Sequence, residues 1–289
     1  MLQSGSDGAG SLLIPFRAAV SPATGGVTGT GGAVSTGKDP VVPQITQTCP
    51  TFANGNINFM NWNMQIVVGT KPSGPTAPMV FYFHGTGSTT SEFAGLAAAV
   101  RDGVVQDGGV LVSYDGEANH GDLRSGTSWF GSVDYPIIDQ LFACAVRDRN
   151  VDPHRVFATG CSAGGLFATA LAVERSSYIA AVAPNSGGLI GFPALQFQTP
   201  SYTPALMTIH GGTADNVGVS FADTSLRADQ TFKNHGGFVI NCDHGGNHCA
   251  GSGQAPSMWQ FFKAHPYGVT PEPYAGGLPA GFSSACTIF

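Results

Sequence analysis

Residues 155–165 read Arg-Val-Phe-Ala-Thr-Gly-Cys-Ser-Ala-Gly-Gly and place Ser162 in the pattern Gly-x-Ser-x-Gly. The apolar first half predicts a strand, and the Ala-rich residues 164–175 predict a helix. A serine on so sharp a strand-to-helix turn presents its hydroxyl, whereas side chains at Gly160 or Gly164 would clash. The helix start also points free N–H groups at a reacting carbonyl. The pattern therefore predicts Ser162 as a nucleophile, with a structural Gly-rich turn as the alternative.

Strands and helices alternate on both sides of this turn. Apolar runs predict strands at 58–68, 79–83, 110–114, 155–159, 179–183, 205–209 and 238–242, and helical spacing predicts helices at 91–101, 134–147, 164–175, 221–234 and 256–264. This order is typical of a mainly parallel sheet with crossover helices on both faces. Together with the serine turn, it predicts one α/β-hydrolase domain over residues 49–289.

The first 48 residues differ in composition from the rest. Residues 20–37 are rich in Gly, Thr and Ser and cannot bury enough apolar surface to fold alone, so residues 1–48 are interpreted as an N-terminal segment or linker. The apolar run at residues 12–14 is cut short by Pro15 and is no signal-peptide core. We expect that a signal peptide was removed or that the start is artificial.

The composition excludes some classes of protein and favours export. The net charge is −6 and no basic cluster is present, so a nucleic-acid partner is not expected. No apolar run approaches the roughly 20 residues that span a membrane. Charged residues make up only 10% of the chain, and the six cysteines can form three disulfides in an oxidising compartment. We therefore expect a secreted protein, and a monomer.

A serine nucleophile needs a base, and the base needs an orienting acid that in this fold lies between the two in sequence. Asp215 follows the predicted strand 205–209, at the sheet edge where ligands gather. It is the predicted acid, and the alternative is a turn residue beside Asn216. Asp223 and Asp229 fall in the next predicted helix, and Asp243 lies too close to the histidine loop.

Two histidines compete for the role of base. His244 and His248 both follow the last predicted strand, in Cys-Asp-His-Gly-Gly-Asn-His-Cys. Their spacing resembles a metal-binding pair, but that pair requires a helix, and Gly245-Gly246 disfavours one. No metal is predicted, and the spacing alone leaves the two histidines open.

The loop after strand 79–83 begins His84-Gly85-Thr86-Gly87, which is typical of the loop that supplies an oxyanion donor. The backbone N–H groups of Thr86 and Ala163 are the predicted donors, with a plain glycine turn as the alternative. His84 is interpreted as structural. Trp129 lies between a predicted strand and helix on the side of the catalytic loops, and it is the predicted substrate contact unless it packs in the core.

Taken together, these residues resemble a known group of enzymes. Cys161-Ser162, Asp215 and His248-Cys249 are similar to the CS-D-HC arrangement of fungal-type feruloyl esterases and tannases. The Cys-Ser-Ala-Gly-Gly turn and the Gly-Gly-x-His loop resemble the poly(3-hydroxybutyrate) depolymerase, feruloyl esterase and acetylxylan esterase group. The resemblance covers roughly residue 49 to the C-terminus.

The resemblance implies a Cys161–Cys249 disulfide, and that bridge selects His248 as the base. The other four cysteines allow three pairings, of which we expect Cys242–Cys286 and Cys49–Cys144. One departure from the CS-D-HC enzymes is clear: Asp215 follows Ser162 by only 53 positions. No lid domain fits in that space, so the substrate specificity of those enzymes does not carry over.

The resemblance further implies a secreted serine hydrolase of carboxylic esters that forms an acyl-enzyme and needs no cofactor. Polyesters of the polyhydroxyalkanoate type, feruloyl or acetyl esters on xylan, and aromatic polyesters such as terephthalates are the expected substrates. The alternatives are a serine peptidase with the same triad and a catalytically inactive polymer-binding module.

Overall fold

A computed structural model describes residues 39–117, 120–122, 127, 129–191, 195–199 and 202–289. In these residues nine strands form a single sheet in the order β1-β2-β4-β3-β5-β6-β7-β8-β9. The strands are β1 (Gly55–Phe59), β2 (Trp62–Val68), β3 (Ala77–Phe83), β4 (Val110–Tyr114), β5 (Val151–Cys161), β6 (Ala181–Asn185), β7 (Ala205–His210), β8 (Val239–Asp243) and β9 (Cys286–Ile288).

The centre of the sheet is parallel and its edges are antiparallel. Strands β4, β3, β5, β6, β7 and β8 run parallel to one another, whereas β1, β2 and β9 pair in antiparallel fashion. Every residue of β3, β4, β6 and β7 is buried. That pattern is expected where helices cover both faces of a parallel sheet. The predicted α/β-hydrolase fold is confirmed.

Six helices of the described chain cover the two faces. They are α1 (Phe93–Leu96), α2 (Ala98–Gln106), α3 (Tyr135–Arg149), α4 (Ala163–Glu174), α5 (Phe221–Asn234) and α6 (Ala255–Ala264). Buried side chains of α3, α4 and α5 form the core on one face, and those of α1, α2 and α6 form the core on the other. Between Ser162 and Asp215 the described residues build α4, β6, β7 and their connections, and no lid domain stands among them.

Two edge elements differ from the predicted ones. The single strand predicted at 58–68 is a hairpin, in which Met60 and Asn61 take the left-handed φ angles of 50° and 70° that a tight two-residue turn requires. Strand β9 was not predicted, because three residues carry too little pattern. It lies against β8, where a disulfide joins Cys286 to Cys242.

The predicted N-terminal segment lies outside the described residues as far as position 38. From Asp39 onward the chain contacts the domain. The backbone N–H of Val41 donates to the carbonyl of Ser177, and the Gln140 side chain on α3 accepts from two N–H groups of residues 46 and 47. A disulfide between Cys49 and Cys144 then attaches this segment to α3. No described helix is long and apolar enough to cross a membrane.

Candidate active site

Ser162 occupies the turn between β5 and α4 in a strained conformation. Its φ of 55° and ψ of −118° are unusual for a residue with a side chain. A Cβ atom at Gly160 or at Gly164 would overlap the carbonyl oxygen of Phe83 on the neighbouring strand β3. Both glycines are therefore required for the close approach of β3, β5 and α4 that holds the serine in this turn.

The acid and the base meet at the carboxyl ends of β7 and β8. Nδ1 of His248 lies 2.7 Å from Oδ1 of Asp215, which is fully buried. Burial raises the pKa of Asp215, but hydrogen bonds from His248, Ser186 and the N–H of Gly211 outweigh it and hold the pKa below its ordinary value. The carboxylate therefore stays ionised and fixes the tautomer with the proton on Nδ1. The Nε2 lone pair is left free for a proton from a nucleophile.

His244, the competing base, does not contact the acid. Its Nδ1 accepts a hydrogen bond from the N–H of Gly246, and burial lowers its pKa. The structure thus places His248, and not His244, on Asp215. Among the other aspartates considered, Asp229 is buried on α5, and Asp243 accepts from the N–H of Gly245.

A disulfide ties the nucleophile to the base. It joins Cys161, directly before the serine, to Cys249, directly after the histidine, with the Cα atoms 5.9 Å apart. Ser162 and His248 line the same cavity, and the Phe221 ring packs on the imidazole with the ring centroids 4.6 Å apart. The serine hydroxyl and the imidazole are not hydrogen-bonded in the described structure. Such bonds often form only once a substrate is bound.

Sequence reasoning missed Ser186, which follows β6. Its hydroxyl donates to Oδ2 of Asp215 over 2.7 Å and accepts from the N–H of Cys249 over 2.8 Å. The side chain is fully buried, and φ is 45°. One hydroxyl thereby connects the acid to the disulfide. The available signal was position: Ser186 follows the strand next to the nucleophile strand, at the same edge of the sheet.

The predicted oxyanion donors are Thr86 and Ala163, on the loop after β3 and at the start of α4. Thr86 and Ala163 both line the cavity with Ser162. Ala163 is the first residue of α4, so its N–H has no acceptor within the helix. His84 is fully buried, donates from Nδ1 to the carbonyl of Gly85 and accepts at Nε2, which is a structural role.

Trp129 was predicted to contact the substrate unless it packs in the core. Its ring lies edge-on to His84 with the centroids 5.8 Å apart, and it packs against the core. The described cavity wall includes Thr127 but not Trp129. Among the described residues, Thr127 lines the cavity, and the observed contacts of Trp129 correspond to the core-packing alternative.

The cavity has a volume of about 600 Å³ and is lined by both apolar and polar residues. Its lining includes the apolar residues Leu166, Val217, Val219 and Phe221 and also the polar residues Thr86, Thr127 and Glu92. Among the described residues, Cys161, His248 and Cys249 also bring possible metal-ligand atoms within 4.8 Å of one another. Both sulfur atoms belong to the disulfide, so neither is a thiolate that could bind a metal.

Comparisons with known proteins identify the fold and no closer relationship. The chain is similar to the crystal structure of native pOPH, with 15% sequence identity, a TM-score of 0.61, and coverage of 83% of this chain and 97% of that one. It is also similar to the acetyl xylan esterase from Aspergillus awamori (14% identity, TM-score 0.54, 71% and 96% coverage) and to the Bacillus cereus carboxylesterase (17% identity, TM-score 0.52, 69% and 93% coverage). No protein-family model matches the sequence, and no curated protein matches it.

Proposed function

We propose that this protein is a serine hydrolase that cleaves carboxylic esters through an acyl-enzyme. The observation that carries the proposal is the pairing of a strained serine turn with an Asp215–His248 hydrogen bond of 2.7 Å, on the wall of one open cavity. Structural similarity to an acetyl xylan esterase and to a carboxylesterase supports the ester as the bond cleaved.

The reaction follows from the protonation states. Nε2 of His248 takes the proton of the Ser162 hydroxyl as the oxygen attacks the ester carbonyl, and the N–H groups of Thr86 and Ala163 stabilise the oxyanion. The imidazolium returns its proton to the leaving alcohol, and an acyl-serine remains. Water, deprotonated by the same histidine, then releases the acid and restores the serine. Asp215 keeps the imidazole oriented and stabilises its charged form, and no cofactor takes part.

The cavity supports substrates that extend beyond it. It lies open to solvent beside the exposed Val217, and no lid domain stands among the described residues. A polymer chain or a wall polysaccharide can therefore lie across the serine. We propose polyhydroxyalkanoate-type polyesters, feruloyl or acetyl esters on xylan, or aromatic polyesters such as terephthalates as the substrate class. Three disulfides support secretion into an oxidising environment.

Two measurements test the proposal. A fluorophosphonate probe should label wild-type protein at Ser162, located by peptide mass spectrometry, and should not label Ser162→Ala. The same substitution should leave the melting temperature within a few degrees and lower hydrolysis of 4-nitrophenyl esters by about 10⁴-fold or more. Labelling at another residue, or cleavage of a peptide panel but not of esters, would overturn the proposal. Product analysis on polyhydroxybutyrate, feruloylated xylan, acetylated xylan and a terephthalate polyester then identifies the substrate.

A further inference from the structure

A carboxylate that the proposed mechanism does not use stands in the wall of the catalytic cavity. Glu92 lines that cavity together with Ser162 and His248. Its Oε1 accepts from the Tyr82 hydroxyl over 2.8 Å and from the N–H of Gly85 over 3.0 Å, and Oε2 also lies 3.2 Å from that N–H. Neither oxygen can turn away without breaking these bonds, so the carboxylate has a fixed position.

The partners of Glu92 are neutral. Tyr82 is buried, and desolvation together with the neighbouring Glu92 raises the pKa of its phenol well above the ordinary value, so the hydroxyl keeps its proton. The other donor is a backbone amide. Among the described residues, no Lys, Arg or His lies within ion-pair distance of Glu92, and no Lys or Arg lines the cavity. A fixed negative charge therefore faces the substrate space.

The negative charge of Glu92 lies next to the loop that is predicted to bind the oxyanion. Gly85, which Glu92 holds, directly precedes the oxyanion donor Thr86. The Glu92 carboxylate and the Cys161 sulfur both lie 3.4 Å from the point where a Cβ of Gly85 would stand. An ester bound at Ser162 thus shares one cavity with the Glu92 carboxylate and with the apolar residues Leu166 and Phe221.

We infer that Glu92 makes the cavity selective for the charge of the substrate. The cavity accepts esters that are neutral near the scissile bond and rejects esters that carry a carboxylate there. The inference rests on the proposed esterase function. Two like charges about 7 Å apart, in surroundings between protein and water in dielectric constant, repel by an amount that lowers kcat/KM by roughly 10-fold. A depolymerising enzyme with this site would cleave neutral chain interiors and release acid-terminated fragments that it cleaves poorly.

The test compares methyl 4-nitrophenyl adipate with mono-4-nitrophenyl adipate, whose far end is a neutral methyl ester in the first and a carboxylate in the second. The wild-type protein should prefer the methyl ester by about 10-fold or more in kcat/KM, and Glu92→Gln should reduce that ratio by about 5- to 10-fold. Gln can still accept both hydrogen bonds on its amide oxygen. The matched control is Asp102→Asn, an exposed position on α2 outside the cavity wall, which makes the same change in net charge and should leave the ratio unaltered.

A second measurement varies the salt concentration in the same three proteins. Raising the NaCl concentration from about 0.02 M to about 0.5 M shortens the screening length several-fold and should narrow the ratio in wild-type protein and in Asp102→Asn, but not in Glu92→Gln. A ratio that neither salt nor Glu92→Gln moves, in protein that hydrolyses the methyl ester, would overturn the role of Glu92. If neither ester is hydrolysed and the fluorophosphonate probe does not label Ser162, it is the proposed function that fails.

Discussion

Cys161 is covalently bonded to Cys249, 88 positions later in the chain, and the bond attaches the residue before the serine to the residue after the histidine. The histidine loop contains Gly245 and Gly246 and is intrinsically mobile without such a constraint. The disulfide therefore serves stability and geometry together, and the two contributions can be separated by experiment.

Replacing Cys161 and Cys249 together by Ala should lower both the melting temperature and kcat, with a smaller effect on KM. The chain-entropy model gives a loss of about 4–5 kcal/mol as an upper figure for a loop of this length. The matched control is Cys49→Ala with Cys144→Ala, which opens a loop of 95 residues at a bond outside the cavity lining. Thermal unfolding and ester kinetics should show similar destabilisation in both double variants, but a fall in kcat only in the first. Equal kcat values would contradict the positional role.

His248→Ala should lose as much activity as Ser162→Ala, about 10⁴-fold in kcat, because nucleophile and base act as a unit. His244→Ala should keep most of its activity, because His244 makes no hydrogen bond to Asp215. Steady-state hydrolysis of 4-nitrophenyl acetate compares the two variants directly. The reverse order of activities would assign the base to His244.

Ser186→Ala should reduce both stability and turnover. It leaves the N–H of Cys249 without its acceptor and Asp215 without one of its donors, at a cost of about 1–3 kcal/mol in the free energy of unfolding. We expect kcat to fall by about 10-fold. Ser257→Ala is the matched control, because that buried hydroxyl also accepts a backbone N–H but lies on α6, away from the triad. Urea unfolding should show a loss in both variants, and a matching fall of kcat in the control would refute a specific role for Ser186.

Asp229 gives the protein a pH-dependent stability. Burial raises its pKa to about 6, against hydrogen bonds from Asn241 and Thr208 that lower it. The folded protein thus binds this proton more tightly than the unfolded chain, where the pKa is about 3.9. The contribution of Asp229 to the free energy of unfolding is therefore present below about pH 4 and is lost as the pH rises through about 6.

Asp229→Asn should remove this loss of stability with rising pH. The difference in free energy of unfolding between the variant and wild type should therefore shift in favour of the variant, by up to ~3 kcal/mol, when the pH is raised from 4 to 7. Urea titrations at the two pH values measure the difference. The matched control is Asp223→Asn, which makes the same change of residue at an exposed position on the same helix. A pH-independent difference between Asp229→Asn and wild type would mean that the carboxyl titrates alike in the folded and unfolded states.

The serine turn and the parallel sheet could both be predicted from the local sequence. The turn around Ser162 could be predicted because its strand, its glycines and its helix are contiguous. The parallel sheet could be predicted because strands buried on both faces are continuously apolar. The hairpin at Met60 and Asn61 was missed, because neither residue is the glycine that usually marks such a turn.

Glu92 and Ser186 could not have been identified in the same way. A glutamate in a short helical turn and a serine after a strand are common in proteins. The roles of both residues depend on partners that are distant in the sequence or that form no recognisable motif. Ser186 acquires its role from Asp215, 29 positions away, and from Cys249, 63 positions away. For Trp129 the sequence left two interpretations open, because an aromatic residue near the end of a loop can contact a substrate or pack in the core.

The Cys161–Cys249 bond also changes what a protease can do to this protein. A single cut anywhere between Ala163 and His248 lies within the loop that this bond closes. The two resulting fragments, one with Ser162 and the other with His248, stay joined beside the cavity and cannot diffuse apart. Clipping of a surface loop in that interval therefore leaves one covalent molecule, which separates only after reduction.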